Sequence, residues 1–164
     1  MADLRWKAYG VAGVVFALDR LTKWLIETRV SPLDVHTVIP GFFDIVHSQN
    51  RGVAFGLFND GHSDLRTALL IAFSAAAVAL VAGLLWNAAK LDGWNVWGLA
   101  LILGGAVGNV YDRILSGRVT DFLEFYLGSL HWPTFNLADS AIVMGSGLLL
   151  LEMYRKPKRQ AART

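Results

Sequence analysis

Long apolar runs without charged residues limit the folds that this chain can adopt more than any other feature of the sequence. The segment from Thr67 to Asn87 has no Asp, Glu, Lys or Arg, and neither does the segment from Trp94 to Tyr111. A helix of about 20 apolar residues crosses the ~30 Å hydrocarbon core of a bilayer. Residues 9–26 and 137–154 are nearly as apolar, although each contains charges. The pattern predicts an all-α integral membrane protein, in which residues 1–164 form one domain around a bundle of four transmembrane helices.

The positions of the basic residues predict the orientation of these helices. Arg5 and Lys7 precede the first helix, Lys90 lies between the second and third, and a basic tail follows the fourth. With four spans these regions share one side, which the positive-inside rule assigns to the cytoplasm. Both termini are then cytoplasmic, and segments 27–66 and 112–136 are extracytoplasmic. A cleaved signal peptide is disfavoured because Asp19 and the residues after it form no small-x-small cleavage site.

The charge and the metal-ligating residue types exclude several other functions. The net charge is +2, and the basic residues of the tail read as a topology signal, so no nucleic-acid partner is expected. Cysteine is absent, which excludes disulfides and thiolate chemistry. The histidines lack ligand spacing, and no metal site or cofactor is expected; they are His36, His47, His62 and His131.

The extracytoplasmic segments are predicted to contain a small β-rich unit. Residues 35–39 and 42–46 have β-leaning composition, and Pro40-Gly41 between them is typical of a turn. We expect this unit to lie on the membrane surface. Segment 121–135 mixes aromatic residues with Asp121 and Glu124, and is too short to cross the bilayer twice. It is predicted to be an interfacial loop or helix.

Charged residues within the predicted helices need an explanation, because a charge in hydrocarbon costs about 2.5 kcal/mol or more. Asp19 and Lys23 are four residues apart and lie on one helix face. They are either a structural ion pair or part of a site. Asn109, Asp112 and Arg113 close the third helix. They are either a cap with a snorkelling arginine or part of the same site.

Two aspartates are predicted to lie at one depth, near the outer leaflet. Asp121 follows the third helix after it leaves the membrane, and Asp139 opens the fourth helix as it returns. Asn136 precedes Asp139 by three residues, and both are also suited to capping this helix. Two facing carboxylates do not both ionise cheaply, so one keeps a proton. That combination of acid and base is what an aspartyl protease requires.

Five sequence blocks resemble those of the bacterial lipoprotein signal peptidases (signal peptidase II), in the same order along essentially the whole chain. The resemblance covers residues 19–23 (DRLTK), 49–56 (QNRGVAFG), 104–113 (GGAVGNVYDR), 119–122 (VTDF) and 135–140 (FNLADS). It implies that Asp121 and Asp139 are catalytic and that Asp112 is not. The residues that it implies to bind substrate or support the site are Asn50, Gly52, Asn109, Arg113, Asn136, Asp19 and Lys23.

The resemblance also implies a reaction and its partners. The enzyme would hydrolyse a prolipoprotein signal peptide before a cysteine that carries diacylglycerol, without a cofactor. It would act as a monomer in the bacterial inner membrane, contact membrane lipid, and be inhibited by globomycin-type cyclic peptides. A small proton-coupled transporter is the main alternative, since intramembrane carboxylates also mark proton relays. A noncatalytic assembly or chaperone subunit is another.

Overall fold

The computed structural model of this protein describes residues 2–52, 64–87 and 93–161. Within these ranges all four predicted helices are present: α1 (Ala2–Arg29), α2 (Asp64–Trp86), α3 (Gly93–Ser116) and α4 (Leu137–Ala161). Several helix ends lie beyond the apolar runs that predicted them, because helices continue into the polar interface. Among the residues used in the predictions, residues 53–56, His62, Lys90 and Arg163 lie outside the described residues.

Helix α3 is the central helix and contacts α1, α2 and α4. Small residues make this packing possible. A Cβ built on Gly104 would stand 2.5 Å from the carbonyl oxygen of Ala12 in α1, and one on Gly145 would stand 2.5 Å from the carbonyl oxygen of Gly98. Such distances mean that the helix backbones are in contact, as is usual for helices that pack in a bilayer.

Three described helices are long and apolar enough to cross a membrane. The segments that qualify are Ala68–Trp86, Gly93–Ser116 and Leu137–Arg155. Helix α1 has sufficient length, with 28 residues, but its charged residues lower its hydropathy. The coarse prediction of a mostly helical membrane protein is therefore confirmed, with a small antiparallel sheet added to the helices.

The sheet has four antiparallel strands in the order β1-β2-β3-β4: β1 (Val35–Ile39), β2 (Phe43–Asn50), β3 (Val119–Leu127) and β4 (Leu130–His131). The predicted β-rich unit and its turn are confirmed, and Gly41 has the positive φ of 79° that this turn requires. The rings of Phe43 and Phe125 stack across β2 and β3 at 4.7 Å. This pair contributes to holding the two inner strands together.

The prediction of an interfacial loop or helix at residues 121–135 was wrong. Most of this segment is β3 and β4, and it joins the same sheet as β1 and β2. The reason is its pairing partner: residues 119–127 are rich in β-branched and aromatic side chains, and β2 offers an edge for them to pair with. Gly117, with a φ of 67°, ends α3 and turns the chain directly into β3.

Candidate active site

Asp121 is held in the sheet by two amide donors. It is the third residue of β3, and only 2% of it is exposed. Asn50, the last residue of β2, donates from Nδ2 to Asp121 Oδ2 at 3.0 Å. Asn136 donates from Nδ2 to Asp121 Oδ1 at 2.7 Å. Both carboxylate oxygens therefore have a fixed partner.

Asp139 is held in the first turn of α4 by a reciprocal cap. Its backbone N–H donates to Asn136 Oδ1 at 3.0 Å, and the backbone N–H of Asn136 donates to Asp139 Oδ2 at 3.3 Å. This exchange satisfies N–H groups that a helix start leaves unpaired. Asn109 of α3 donates from Nδ2 to Asp139 Oδ1 at 2.8 Å. Asn136 thus contacts both carboxylates: its side-chain amide donates to that of Asp121 and its backbone N–H donates to that of Asp139.

Burial is the largest influence on the protonation of Asp121. Removal from water raises the pKa of Asp121 to about 6, against its ordinary value of 3.8. The hydrogen bonds from Asn50 and Asn136 oppose this rise because they favour the ionised form. The negative charge of Asp139 adds to the rise. Asp121 therefore keeps its proton up to a pH of about 6.

Arg113 links the helices to the segment that follows β2. Its Nη1 donates to the Asn109 carbonyl oxygen at 3.2 Å, and its Nη2 donates to the Gly52 carbonyl oxygen at 3.3 Å. The backbone N–H of Gly52 in turn donates to Asn50 Oδ1 at 2.9 Å. That bond fixes the Asn50 amide so that its nitrogen points to Asp121.

A buried ion cluster connects α1 to the site. Lys23 Nζ lies 2.8 Å from Asp19 Oδ2 and 2.7 Å from Asp112 Oδ2, and it donates to Asn109 Oδ1 at 3.1 Å. Asp112 is also paired with Arg20. The predicted pairing of Asp19 with Lys23 is confirmed.

The ion cluster also reaches the site itself. Lys23 occupies the oxygen of the Asn109 amide and so directs the amide nitrogen to Asp139. Asp19 accepts the Ala138 backbone N–H at 3.0 Å, next to Asp139. The two readings of Asp19 and Lys23, a structural ion pair or part of the site, are therefore compatible. Asp112 faces Arg20 and Lys23, and it is not among the residues that line the cavity described below.

A cavity of about 670 Å³ opens beside the two aspartates. Its polar lining is formed by Asp121, Asp139, Asn50, Asn109, Arg113, Thr134 and Ser140. The remainder is mainly apolar, and is lined by Val119, Trp132, Pro133, Phe135, Ile142, Val143 and Met144. A peptide or lipid chain in this cavity would contact both the two carboxylates and apolar side chains. Among the described residues, no cluster of His, Asp and Glu could hold a metal ion.

All of the predicted site residues lie in this connected set of hydrogen bonds. The sequence analysis did not identify the apolar wall that α4 contributes. Ile142 and Val143 follow Asp139 by three and four residues, which places them on the same helix face. From that spacing, Ile142 and Val143 could have been predicted to lie beside Asp139. Trp132 and Phe135 had no such signal, because their positions depend on the sheet.

The comparison with known proteins decides the family. The signal peptidase (SPase) II family model matches residues 11–155. The lipoprotein signal peptidase of Solibacter usitatus (strain Ellin6076) is 64% identical over 162 residues, which cover 99% of this chain and 98% of that protein. The chain belongs to the signal peptidase II family. The family predicted from the five blocks is confirmed, and the protein is a membrane peptidase rather than a transporter or an assembly subunit.

A more distant relative and a solved structure agree with this assignment. The lipoprotein signal peptidase of Oleidesulfovibrio alaskensis is 42% identical over 148 residues, covering 90% of this chain and 94% of that protein. A bacterial membrane enzyme solved by the in meso method at 2.3 Å resolution has a TM-score of 0.82 and 25% identity. The match covers 93% of this chain and 90% of the solved one, so the two share a fold over most of their length.

Proposed function

We propose that Asp121 and Asp139 are the catalytic pair of an aspartyl endopeptidase. The observation that carries this proposal is the bridge made by Asn136. Its side-chain amide contacts the Asp121 carboxylate and its backbone N–H contacts the Asp139 carboxylate, and both carboxylates line one largely apolar cavity. Carboxylates that share a site favour a state with one proton between them. One acid and one base are what the hydrolysis of an amide requires.

The raised pKa of Asp121 supports the following division of roles, which is part of the proposal. Asp139, as the carboxylate, accepts a proton from water while the water oxygen attacks the scissile carbonyl carbon. Asp121 donates its proton to the carbonyl oxygen, which gives a neutral tetrahedral diol. Asp139 then gives its proton to the leaving nitrogen as the C–N bond breaks, and Asp121 takes the proton of a diol hydroxyl. Both aspartates end in their starting states.

We infer that the substrate is a prolipoprotein signal peptide and that the bond cleaved precedes a diacylglyceryl-modified cysteine. The apolar wall from α4 suits the acyl chains of such a cysteine, and the aspartates lie where the helices meet the sheet. A lipid-bearing substrate would reach this depth without leaving the bilayer. Membrane lipid and globomycin-type cyclic peptides would compete for the same apolar surface.

We infer that the remaining predicted residues bind substrate or hold the catalytic pair. Asn50 and Asn109 each orient one catalytic carboxylate. Gly52 fixes the Asn50 amide and Lys23 fixes the Asn109 amide, while Arg113 holds the carbonyl oxygen of Gly52. We also propose that the enzyme acts as a monomer, since the predicted site residues are joined by hydrogen bonds within a single copy of the chain.

We also propose that α1 is a fourth span and that residues 1–164 form one membrane domain. The charges Asp19, Arg20 and Lys23 are paired within the bundle rather than presented to lipid. At the opposite end of α1, Trp6 contacts Trp86 at the end of α2, with ring centroids 6.3 Å apart. The start of α1 and the end of α2 therefore share one membrane face, which the positive-inside rule assigns to the cytoplasm.

The test is cleavage of a diacylglyceryl-modified prolipoprotein by purified protein in detergent. We expect Asp121→Asn and Asp139→Asn each to lower kcat by at least about a thousandfold, since each removes one proton-transfer group. Asp34→Asn, a change at an exposed residue on the same side of the bundle, is the matched control and should cleave normally. Cleavage by a folded Asp121→Asn protein at the wild-type rate would contradict the proposal.

A further inference from the structure

Strand β2 contains one extra residue beside Asp121. Ile45 of β2 is paired with Leu123 of β3. Three residues later, Ser48 is paired with Asp121, which is only two residues before Leu123. Two residues of β2 therefore lie opposite one residue of β3, which is a β-bulge. Bulges are common next to active sites, where they redirect side chains.

The bulge decides which face of the sheet carries Asn50. As built, Asn50 is paired with Val119, two residues before Asp121, so Asn50 and Asp121 share a face. If the pairing at Ile45 continued without the extra residue, Asn50 would lie opposite residue 118. Its side chain would then point away from Asp121, because a shift by one residue reverses the face. The hydrogen bond of 3.0 Å from Asn50 to Asp121 depends on the bulge.

His47 is one of the two bulged residues, and its ring is tied to α1. Its Nδ1 lies 2.8 Å from the carbonyl oxygen of Val30, the residue that follows α1. Because a carbonyl oxygen only accepts, Nδ1 carries the proton and donates it. The other ring nitrogen, Nε2, is shielded from solvent and has no hydrogen-bond partner within the described part of the chain. The bond to Val30 is therefore the polar contact that fixes this ring.

A second contact ties the facing strand to the same end of α1. Thr120, the residue before Asp121, donates from Oγ1 to Glu27 Oε1 at 2.6 Å. The end of α1 is thus bonded to β2 at the bulge and to the facing strand β3 close to it. His47 is not among the residues that line the cavity, so it has no direct route to a substrate bound there.

We infer that His47 is a positioning residue. By fixing the bulge to the end of α1, it holds Asn50 on the face of Asp121 and acts on the reaction through that hydrogen bond. The inference rests on the proposed catalytic role of Asp121.

The test compares two substitutions of His47. His47→Leu removes the donor to Val30, while His47→Asn keeps an N–H donor near the position of Nδ1. A lost hydrogen bond of about 1 to 1.5 kcal/mol corresponds to roughly tenfold in rate. We expect His47→Leu to lower kcat about tenfold with KM within about twofold, and His47→Asn to stay within about threefold of wild type. If His47→Leu does not fold, His47→Ala is measured in its place.

A double-mutant cycle separates positioning from general stability. If His47 acts through Asn50, His47→Leu should change kcat by less than about twofold when Asn50→Ala is already present. An equal loss in both backgrounds, a change confined to KM, or a wild-type kcat for His47→Leu would overturn the inference.

Asp121→Asn is measured alongside these variants. If it cleaves, the proposed function itself fails. If it is inactive while His47→Leu has wild-type kcat, only the role of His47 fails.

Discussion

At the residue scale, the protonation of Asp121 results from opposing influences that can be changed separately. Burial favours the neutral carboxyl group, while the amide of Asn50 favours the ionised form. Since the pKa is raised to about 6, Asp121 keeps its proton below that pH and loses it above. An acid that must be protonated then limits the reaction on the alkaline side.

We therefore expect kcat/KM to fall as the pH rises above about 6, approaching tenfold per pH unit. Asn50→Ala removes an influence that lowers the pKa of Asp121, so it should move this alkaline limb to higher pH while reducing the maximum. The measurement is the pH profile of kcat/KM for both proteins. A limb that moves to lower pH, or a profile that is flat from pH 5 to pH 8, would contradict this assignment of the proton.

Lys23 provides a second prediction at this scale, this time about stability. Its ammonium group lies within 3 Å of one oxygen each of Asp19 and Asp112. Removing one partner from a buried ion pair costs about 3 to 5 kcal/mol, because a charge is left uncompensated. Lys23→Met should destabilise the protein by about this amount, measured by denaturant or detergent-induced unfolding. Adding Asp19→Asn to Lys23→Met should restore part of the lost stability.

The control for Lys23 is Arg29→Met, at an exposed position near the end of the same helix. Surface changes of this kind usually stay within about 0.5 kcal/mol. Equal effects of the Lys23 and Arg29 substitutions would show that the cluster does not stabilise the bundle.

At the element scale, the placement of α4 against α3 determines where Asp139 lies. A Cβ on Gly105 would collide with the carbonyl oxygen of Ala138, the residue before Asp139. Gly105→Ala should therefore displace the start of α4, cost about 1 to 3 kcal/mol, and lower kcat. Gly147→Ala, in α4, meets nothing within 4 Å and should be neutral or stabilising by up to about 1 kcal/mol. Unfolding midpoints and kcat of both variants check this, and an active, stable Gly105→Ala protein would contradict it.

The elements differ in how far the sequence could predict them. Helices α2 and α3 were evident because a bilayer requires long apolar runs, and that requirement is local. Strand β3 was not, because residues 121–127 become a strand only through pairing with β2, which lies far away in the sequence. The bulge at His47 was also hidden, since register depends on both strands at once. Asp121 and Asp139 could be predicted as candidate catalytic residues from their sequence blocks. The contacts of Asn136 with both of them could not, because they depend on how β3 and α4 pack together in the fold.

At the scale of the whole molecule, the proposed orientation places the ion cluster, the aspartates and the sheet toward the extracytoplasmic side. The chain contains no cysteine, so single introduced cysteines report accessibility without a background. Ser129 lies in the exposed turn between β3 and β4, and Asn87 is exposed just after α2. We expect a membrane-impermeant maleimide to label Ser129→Cys in intact spheroplasts. Asn87→Cys should be labelled only after the membrane is opened.

The same pair of variants tests whether α1 crosses the bilayer. If α1 spans, a cysteine at Trp6, which contacts Trp86 near the end of α2, should share the protection of Asn87→Cys. A cysteine at Leu33, which is 93% exposed just beyond α1, should be labelled like Ser129→Cys. Labelling of positions 6 and 33 from the same side would mean that α1 does not span. If α1 spans, its buried pair of Asp19 and Lys23 lies between the helices, so these two charges are kept away from the hydrocarbon.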